Sequence, residues 1–242
     1  MMKIPKPNLP RRNEAKAGVQ LAAPKRSEGG SPKSPAPEIN SAPLLILISA
    51  PSGGGKTTLC DLLLASQPQM TRAITCTTRP PRPGEKDGVD YHFLAAGDFL
   101  KRVQAGNFLE HATVYGNSYG LLKSELLGKL RAGRDVLLNE DVQGAATIRA
   151  AAMAEPELRA ALVTVFLTPA SVEILEARLK KRNSDAPAVI QKRLAVAKQE
   201  VSQWKNFDYL VISTSKPEDL RQTLAIVAAE KMRTARSLPP EF

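Results

Sequence analysis

The segment Ala50-Pro-Ser-Gly-Gly-Gly-Lys-Thr57 combines the residue types that grip a polyphosphate. Phosphate oxygens need several backbone N–H groups converging on them, and glycines let the main chain turn and approach closely enough to supply them. Gly53, Gly54 and Gly55 meet that need, and a helix opening directly after them would add the partial positive charge of its N-terminus. Lys56 would then reach the β and γ phosphates, and the Thr57 hydroxyl would ligate Mg²⁺. The pattern GxxxxGK[ST] fails at its first position, Ala50, whose single methyl group the loop tolerates if the local φ is negative.

A second cluster runs from Thr75 to Phe93. Arg79 and Arg82 stand three apart in a loop stiffened by Pro80, Pro81 and Pro83, and Tyr91 closes the segment. Guanidinium groups hold phosphate through paired planar hydrogen bonds, and proline lowers the entropy lost when the loop orders. Two phosphate sites imply a phosphotransferase rather than a simple NTPase. Arg178 and Arg182, four apart, would share one helix face and could point into one cleft or form a solvated basic face. Glu110, at a strand end, is either a site carboxylate or a surface one; Asp141 either reads a ligand or caps the helix that follows. Tyr91 and Tyr119 are phosphate-bonding phenols or rim aromatics. His92, His111 and Trp204 are assigned to packing.

These residues need a scaffold. Leu44 to Ser49 is a short continuous apolar run, as a strand covered on both faces requires, and Thr57 to Ser66 follows at helical spacing. Further strands are predicted at Arg72–Cys76, Tyr91–Leu94, Phe108–Val114, Asp135–Asn139, Leu162–Leu167 and Tyr209–Ser213. Helices are predicted at Ala96–Gln104, Lys123–Arg131, Ala145–Ala152, Ser171–Lys181, Pro187–Trp204 and Pro217–Arg233. The alternation argues for an α/β fold: an open, mostly parallel sheet with helices on both faces and ligands at the carboxyl ends of the strands.

Composition sets the outer bounds. The 242 residues carry 34 Lys plus Arg against 24 Asp plus Glu, a formal charge of +10, and 43% are hydrophobic, enough for a real core. Aromatic residues make up 5%, which argues against an RNA-binding sheet of stacked rings. The apolar run Leu44–Ala50 is interrupted by Ser49 and falls far short of the ~20 residues a membrane helix needs, so the chain is expected to be soluble. Cys60 and Cys76 form no disulfide framework and read as buried hydrophobes. With no apolar signal segment at its start, the chain is expected in the cytoplasm. Residues 1–42 hold +5 of the charge and seven of the 19 prolines, and are expected to be a disordered basic tail. The remaining excess suits the binding of two polyanions.

The chain resembles the guanylate kinases, from about Leu44 to Lys231. The likeness rests on the phosphate loop and the Arg79/Arg82 cluster, and on Phe108-Leu-Glu-His111, Gly116-Asn-Ser-Tyr-Gly120, Asp141-Val-Gln-Gly144 and Leu175-Glu-Ala-Arg-Leu-Lys-Lys-Arg182, all in order. It implies a P-loop NTPase-type three-layer α/β/α core (43–74, 122–170 and 206–235), a small mixed GMP-binding subdomain (75–121), a helical lid (about 171–205) and a C-terminal tail (236–242). It implies transfer of the γ-phosphoryl group of ATP, with Mg²⁺, to GMP or dGMP. Under the resemblance, Ala50, Pro51, Ser52, Gly53, Gly54, Gly55, Lys56, Thr57 and Thr58 bind ATP. Arg79, Arg82, Tyr91 and Tyr119 hold the GMP phosphate, while Thr75, Glu110 and Asp141 read the guanine edge. Arg178, Arg182 and Arg193 close over the transferring group, joining Lys56 and Arg79 in catalysis. No membrane or specific nucleic-acid partner is implied, and monomer and homo-oligomer stay equally open.

Four positions depart from the family pattern: Ala50; Leu121, in place of a Thr or Ser that helps recognise the base; Asn139, at a usually acidic position; and Ser213, in place of an Asn near the nucleotide base. They keep two alternatives alive, a catalytically weak interaction module and a P-loop kinase of another phosphorylated small molecule. Intact Lys56, Arg79 and Arg82 oppose the first; Glu110 and Asp141 oppose the second.

Overall fold

In the computed structural model, residues 41–237 are described, except Tyr115 and 182–186. The predicted tail therefore falls almost wholly outside the described residues, as does Arg182. The central sheet has five strands in the order β2-β7-β1-β8-β9, all paired in parallel: Met70–Arg72, Asp135–Glu140, Leu45–Ser49, Leu162–Pro169 and Tyr209–Ser213. Every residue of β1 is buried, because helices cover both faces and alternate side chains feed opposite cores. Ile46 and Ile48 meet Leu59, Cys60 and Leu63 of α1 (Lys56–Ser66) and Val227 of α8 (Lys216–Lys231). Leu45 and Leu47 meet Leu126 and Leu130 of α3 (Lys123–Arg131), Ala145 and Ile148 of α4 (Val142–Met153), and Leu158 of α5 (Pro156–Ala161).

A second sheet of four strands, in the order β4-β3-β6-β5, is mixed. β3 (Cys76–Thr77) pairs in parallel with β4 (His92–Phe93) and antiparallel with β6 (Asn117–Leu122), which pairs antiparallel with β5 (Phe108–Val114). Its core is small: Cys76, Leu122 and the stacked rings of Phe99, from α2 (Ala96–Gln104), and Phe108, 4.5 Å apart. α6 (Val172–Lys181) and α7 (Pro187–Ser202), the segment expected to form a lid, pack on each other through Leu175, Leu179, Leu194 and Ala197.

The strand expected over Arg72–Cys76 is in fact two, β2 ending at Arg72 and β3 starting at Cys76, one in each sheet. Ala73–Thr75 cross between the sheets, and the Ile74 amide donates to Glu125 Oε1 at 2.9 Å instead of to a strand. β6 and α5 were not expected. α7 stops at Ser202, with Trp204–Asn206 a separate 3₁₀ turn. The packing also runs past both expected edges of the domain. Ser41 bridges Ser237, the Ala42 amide donates to Arg236 O at 2.7 Å, and Arg236 is anchored on Leu162 O and paired with Glu230.

Candidate active site

β1 delivers the chain to the phosphate loop at the carboxyl end of the sheet, where α1 opens with Gly55 as its N-cap. Gly53 (φ 86°) and Gly55 (φ 103°) occupy left-handed conformations that other residues adopt only with strain. Gly54 is required for space: a Cβ there would lie 2.9 Å from the Ala50 Cβ. The alanine at the loop's first position thus packs its methyl group over a residue that has none. The loop lines a cavity of about 170 Å³ together with Asp141 and Glu200. Glu200, on α7, accepts the Ser52 amide through Oε2 at 3.1 Å.

Burial lowers the pKa of the Lys56 ammonium, and the charges of Glu140 and Asp141 counter that loss. Glu140 ends β7, and burial together with the charge of Glu110 pushes its carboxyl up to about 7. Glu110, on β5, is raised in turn by burial and by Asp141. Lys56 therefore shares an electrostatic neighbourhood with the carboxylates of the β7–α4 junction, and Glu140 there shares one with Glu110 of the second sheet. Asp141 lines the loop cavity, and its Oδ1 accepts the Gly144 amide at 2.7 Å as the N-cap of α4, one of the two roles expected of it.

The structure also brings the second arginine cluster together. Arg79 lies 5.5 Å from the centre of the Tyr91 ring, and Tyr91 packs edge-on to Tyr119 at 6.3 Å. Arg79 is already engaged: Nη2 donates to both Glu85 oxygens at 2.9 and 3.0 Å, and Nη1 to Pro80 O at 2.7 Å. Arg82 donates its backbone amide to the same Glu85 at 2.7 Å. Thr75 is half-buried beside β4, where its carbonyl accepts the His92 amide at 2.9 Å.

On the lid side, Arg178 of α6 donates from Nη1 to Gly54 O at 3.2 Å and from Nη2 to Ser213 Oγ at 3.0 Å. Arg193 is half-buried on α7. Thr58 lines a larger cavity of about 380 Å³ with Arg178 and residues 213–216, next to the phosphate loop. Thr57 is exposed at the first turn of α1. Among the described residues no group of three or more His, Cys, Asp or Glu side chains could hold a metal ion. The donor set suits an ion ligated by phosphate oxygens and water with one hydroxyl from the protein, as Mg²⁺ prefers.

The guanylate kinase family model matches residues 42–229. The chain belongs to the guanylate kinase family. It is 43% identical to a guanylate kinase of Coxiella burnetii over 78% of this chain and 88% of that one. It is 41% identical to one of Paramagnetospirillum magneticum over 85% and 94% of the two chains. The crystal structure of the guanylate kinase of Anaplasma phagocytophilum superposes with a TM-score of 0.59 at 29% identity, covering 83% of this chain and 92% of that one. As a member of the guanylate kinases the chain is a nucleotide kinase, and the α/β core with a second mixed sheet is the fold its sequence predicts.

Two of the family departures look different in space. Leu121 is fully buried, packed with Leu109 and Leu126, and stands opposite Glu110 in the pairing of β5 with β6. Asn139 does leave a gap in the acidic pattern, but Glu140, overlooked in the sequence, brings a carboxylate to Lys56. Glu85, Glu200 and Asp219 were also overlooked. Glu85 had a usable signal, standing three residues after Arg82, and so did Asp219, six residues after Ser213; Glu200 is distant in sequence from Ser52, whose amide it accepts.

Proposed function

We propose that the protein transfers the γ-phosphoryl group of MgATP to GMP or dGMP, forming a bond from an acceptor phosphate oxygen to γ-phosphorus as the β–γ bridge breaks and ADP leaves. One observation carries this reading: the loop lysine Lys56 lies within reach of the charges of Glu140 and Asp141, and Glu140 lies within reach of Glu110. Donor and acceptor machinery thereby meet in one place. Residues 50–58 hold the donor phosphates, mainly through the backbone N–H groups of the loop glycines and the first turn of α1, and Lys56 carries the charge that develops between β and γ oxygens. Mg²⁺, held by Thr57 and the nucleotide, would neutralise phosphate charge. Arg79, Arg82, Tyr91 and Tyr119 hold the acceptor phosphate. Thr75, Glu110 and Asp141 read the guanine edge, whose N1–H and exocyclic amine both donate to carboxylates. Arg178, Arg182 and Arg193 come from the lid region, about 171–205, which closes over residues 75–121 and the core to exclude water.

The two free thiols are buried, which raises Cys60 to about 12 and Cys76 to about 11, so both stay unreactive as expected of a protein of the reducing cytoplasm. No helix among the described residues is long and apolar enough to cross a membrane. The test is ADP release coupled to a reporter, with GMP, dGMP, AMP, CMP and UMP in turn. GMP and dGMP should support turnover and the others far less. Absence of any acceptor-dependent signal would falsify the assignment.

A further inference from the structure

Behind the phosphate loop an arginine of α6 meets β9 and the start of α8, which follow one another in the chain. Ser213, the last residue of β9, is 4% exposed, and Asp219, in the first turn of α8, is 7% exposed. The Ser213 hydroxyl donates to Asp219 Oδ2 at 2.7 Å and accepts from Arg178 Nη2 at 3.0 Å. The direction of these bonds is fixed by chemistry. Arginine has no acceptor and an ionised carboxylate has no proton, so the serine proton must point to Asp219 and a serine lone pair to Arg178. Asp219 Oδ1 takes the Thr214 amide at 3.0 Å, which pins the carboxylate. Arg178 Nη1 reaches Gly54 O at 3.2 Å. Its guanidinium is thus held at two points, one on the sheet and one on the loop itself, although its own helix belongs to the lid region. Leu179, one residue along α6, presses on the same loop, since a Cβ at Gly53 would lie 2.8 Å from its Cδ2.

We propose that Ser213 and Asp219 are positioning residues for phosphoryl transfer, relaying a buried carboxylate through one hydroxyl to set the Arg178 guanidinium against the phosphate loop. This rests on the reading that Arg178 meets the transferring phosphoryl group. It gives the serine that departs from the family's usual asparagine a task of its own: a hydroxyl can accept from arginine while donating to a carboxylate, through a single atom. Two of the five guanidinium N–H groups face protein in this arrangement, and the rest are left for phosphoryl oxygens.

Steady-state kinetics of four variants test the relay, each with a thermal midpoint to normalise for folded protein. Ser213→Ala should lower kcat by about 10- to 50-fold with both KM values within about twofold, the mark of an interaction realised in the transition state. Asp219→Asn should match it, because an amide donating to the serine would turn the serine proton toward Arg178. Ser213→Thr keeps the hydroxyl and should recover most of kcat. Where the alanine variant is too unstable to assay, Ser213→Val against Ser213→Thr isolates the hydroxyl at constant size. The decisive measurement adds Arg178→Ala, expected to cost about 100-fold alone; combined with Ser213→Ala it should be no worse. An equal loss from Ser213→Ala in the two backgrounds overturns the relay. So does a raised KM for ATP at unchanged kcat, which would make Ser213 a nucleoside contact. Full kcat in Arg178→Ala would instead overturn the reading of Arg178 beneath it.

Discussion

The proposed donor loop and the proposed acceptor loop hold their cations in opposite ways. Lys56 sits on the first turn of a helix packed into the main core, half stripped of water, and its compensation comes through space from Glu140 and Asp141. Arg79 sits on a short, proline-rich loop over a small core, and its compensation is a carboxylate bonded to it directly, Glu85, which also takes the Arg82 amide. The first arrangement is a rigid cradle with its charge left available. In the second, a protein carboxylate already satisfies the planar donor edge that a phosphate would use. On the proposed reading, the molecule preorganises the end that must stabilise a transition state and guards the end that selects a substrate.

If the donor loop is the preorganised one, its loss should be the most damaging. Lys56→Ala is expected to lower kcat by at least ~100-fold while the thermal midpoint moves little, since the lysine is a source of transition-state charge and its burial was unfavourable to begin with. A loss confined to KM for ATP would break the contrast, because it would make Lys56 a uniform binding contact.

Glu140 lies where the two regions meet, and its contribution has a definite sign. Its carboxyl holds a proton up to about pH 7 in the folded protein, against an ordinary value of 4.5 in the unfolded chain. Between those values the folded state binds more protons, so stability falls as pH rises from about 4.5 to about 7 and stays low above that. Glu140→Gln should remove this fall and raise stability at pH 8 by on the order of 2 kcal/mol, with little change near pH 4. Urea unfolding at both pH values measures it; equal pH slopes in the two proteins would mean that Glu140 is not buried against Glu110 as described.

On the acceptor side Arg79→Ala should raise KM for GMP by about 10- to 30-fold and leave KM for ATP near its starting value. Parallel rises in the two would mean that the loops are not separable.

Legibility followed locality. The phosphate loop was readable because one strand, three glycines and one helix start are contiguous, and the central strands because burial on both faces leaves continuous apolar runs such as Leu45–Ser49. β6 was hidden by its own composition: Asn117 and Gly120 are poor strand formers, and the strand exists because β3 and β5 flank it on either side. The break between Arg72 and Cys76 was invisible because a change of sheet leaves no mark on hydrophobicity. Among candidate site residues, those in local motifs stood out in the sequence, while Glu200 was missed because it meets Ser52 across many intervening elements, and Asp219 because its bond to Ser213 depends on how α8 turns onto the end of β9.

The guard itself gives the finest test of the contrast. Glu85→Gln keeps the shape and one acceptor oxygen but removes the charge that an acceptor phosphate must displace from Arg79. Its carboxyl is held below the usual range by Arg79 and by the Arg82 amide, so it is ionised at neutral pH and the substitution changes a real charge. KM for GMP should fall by about two- to fivefold at low ionic strength, with kcat and KM for ATP nearly constant. The difference should shrink as salt is added, because both carboxylate and phosphate are screened at an exposed loop. A rise in KM for GMP would reverse the assignment: Glu85 would then be the strut that aims Arg79, and the acceptor loop would be as preorganised as the donor loop.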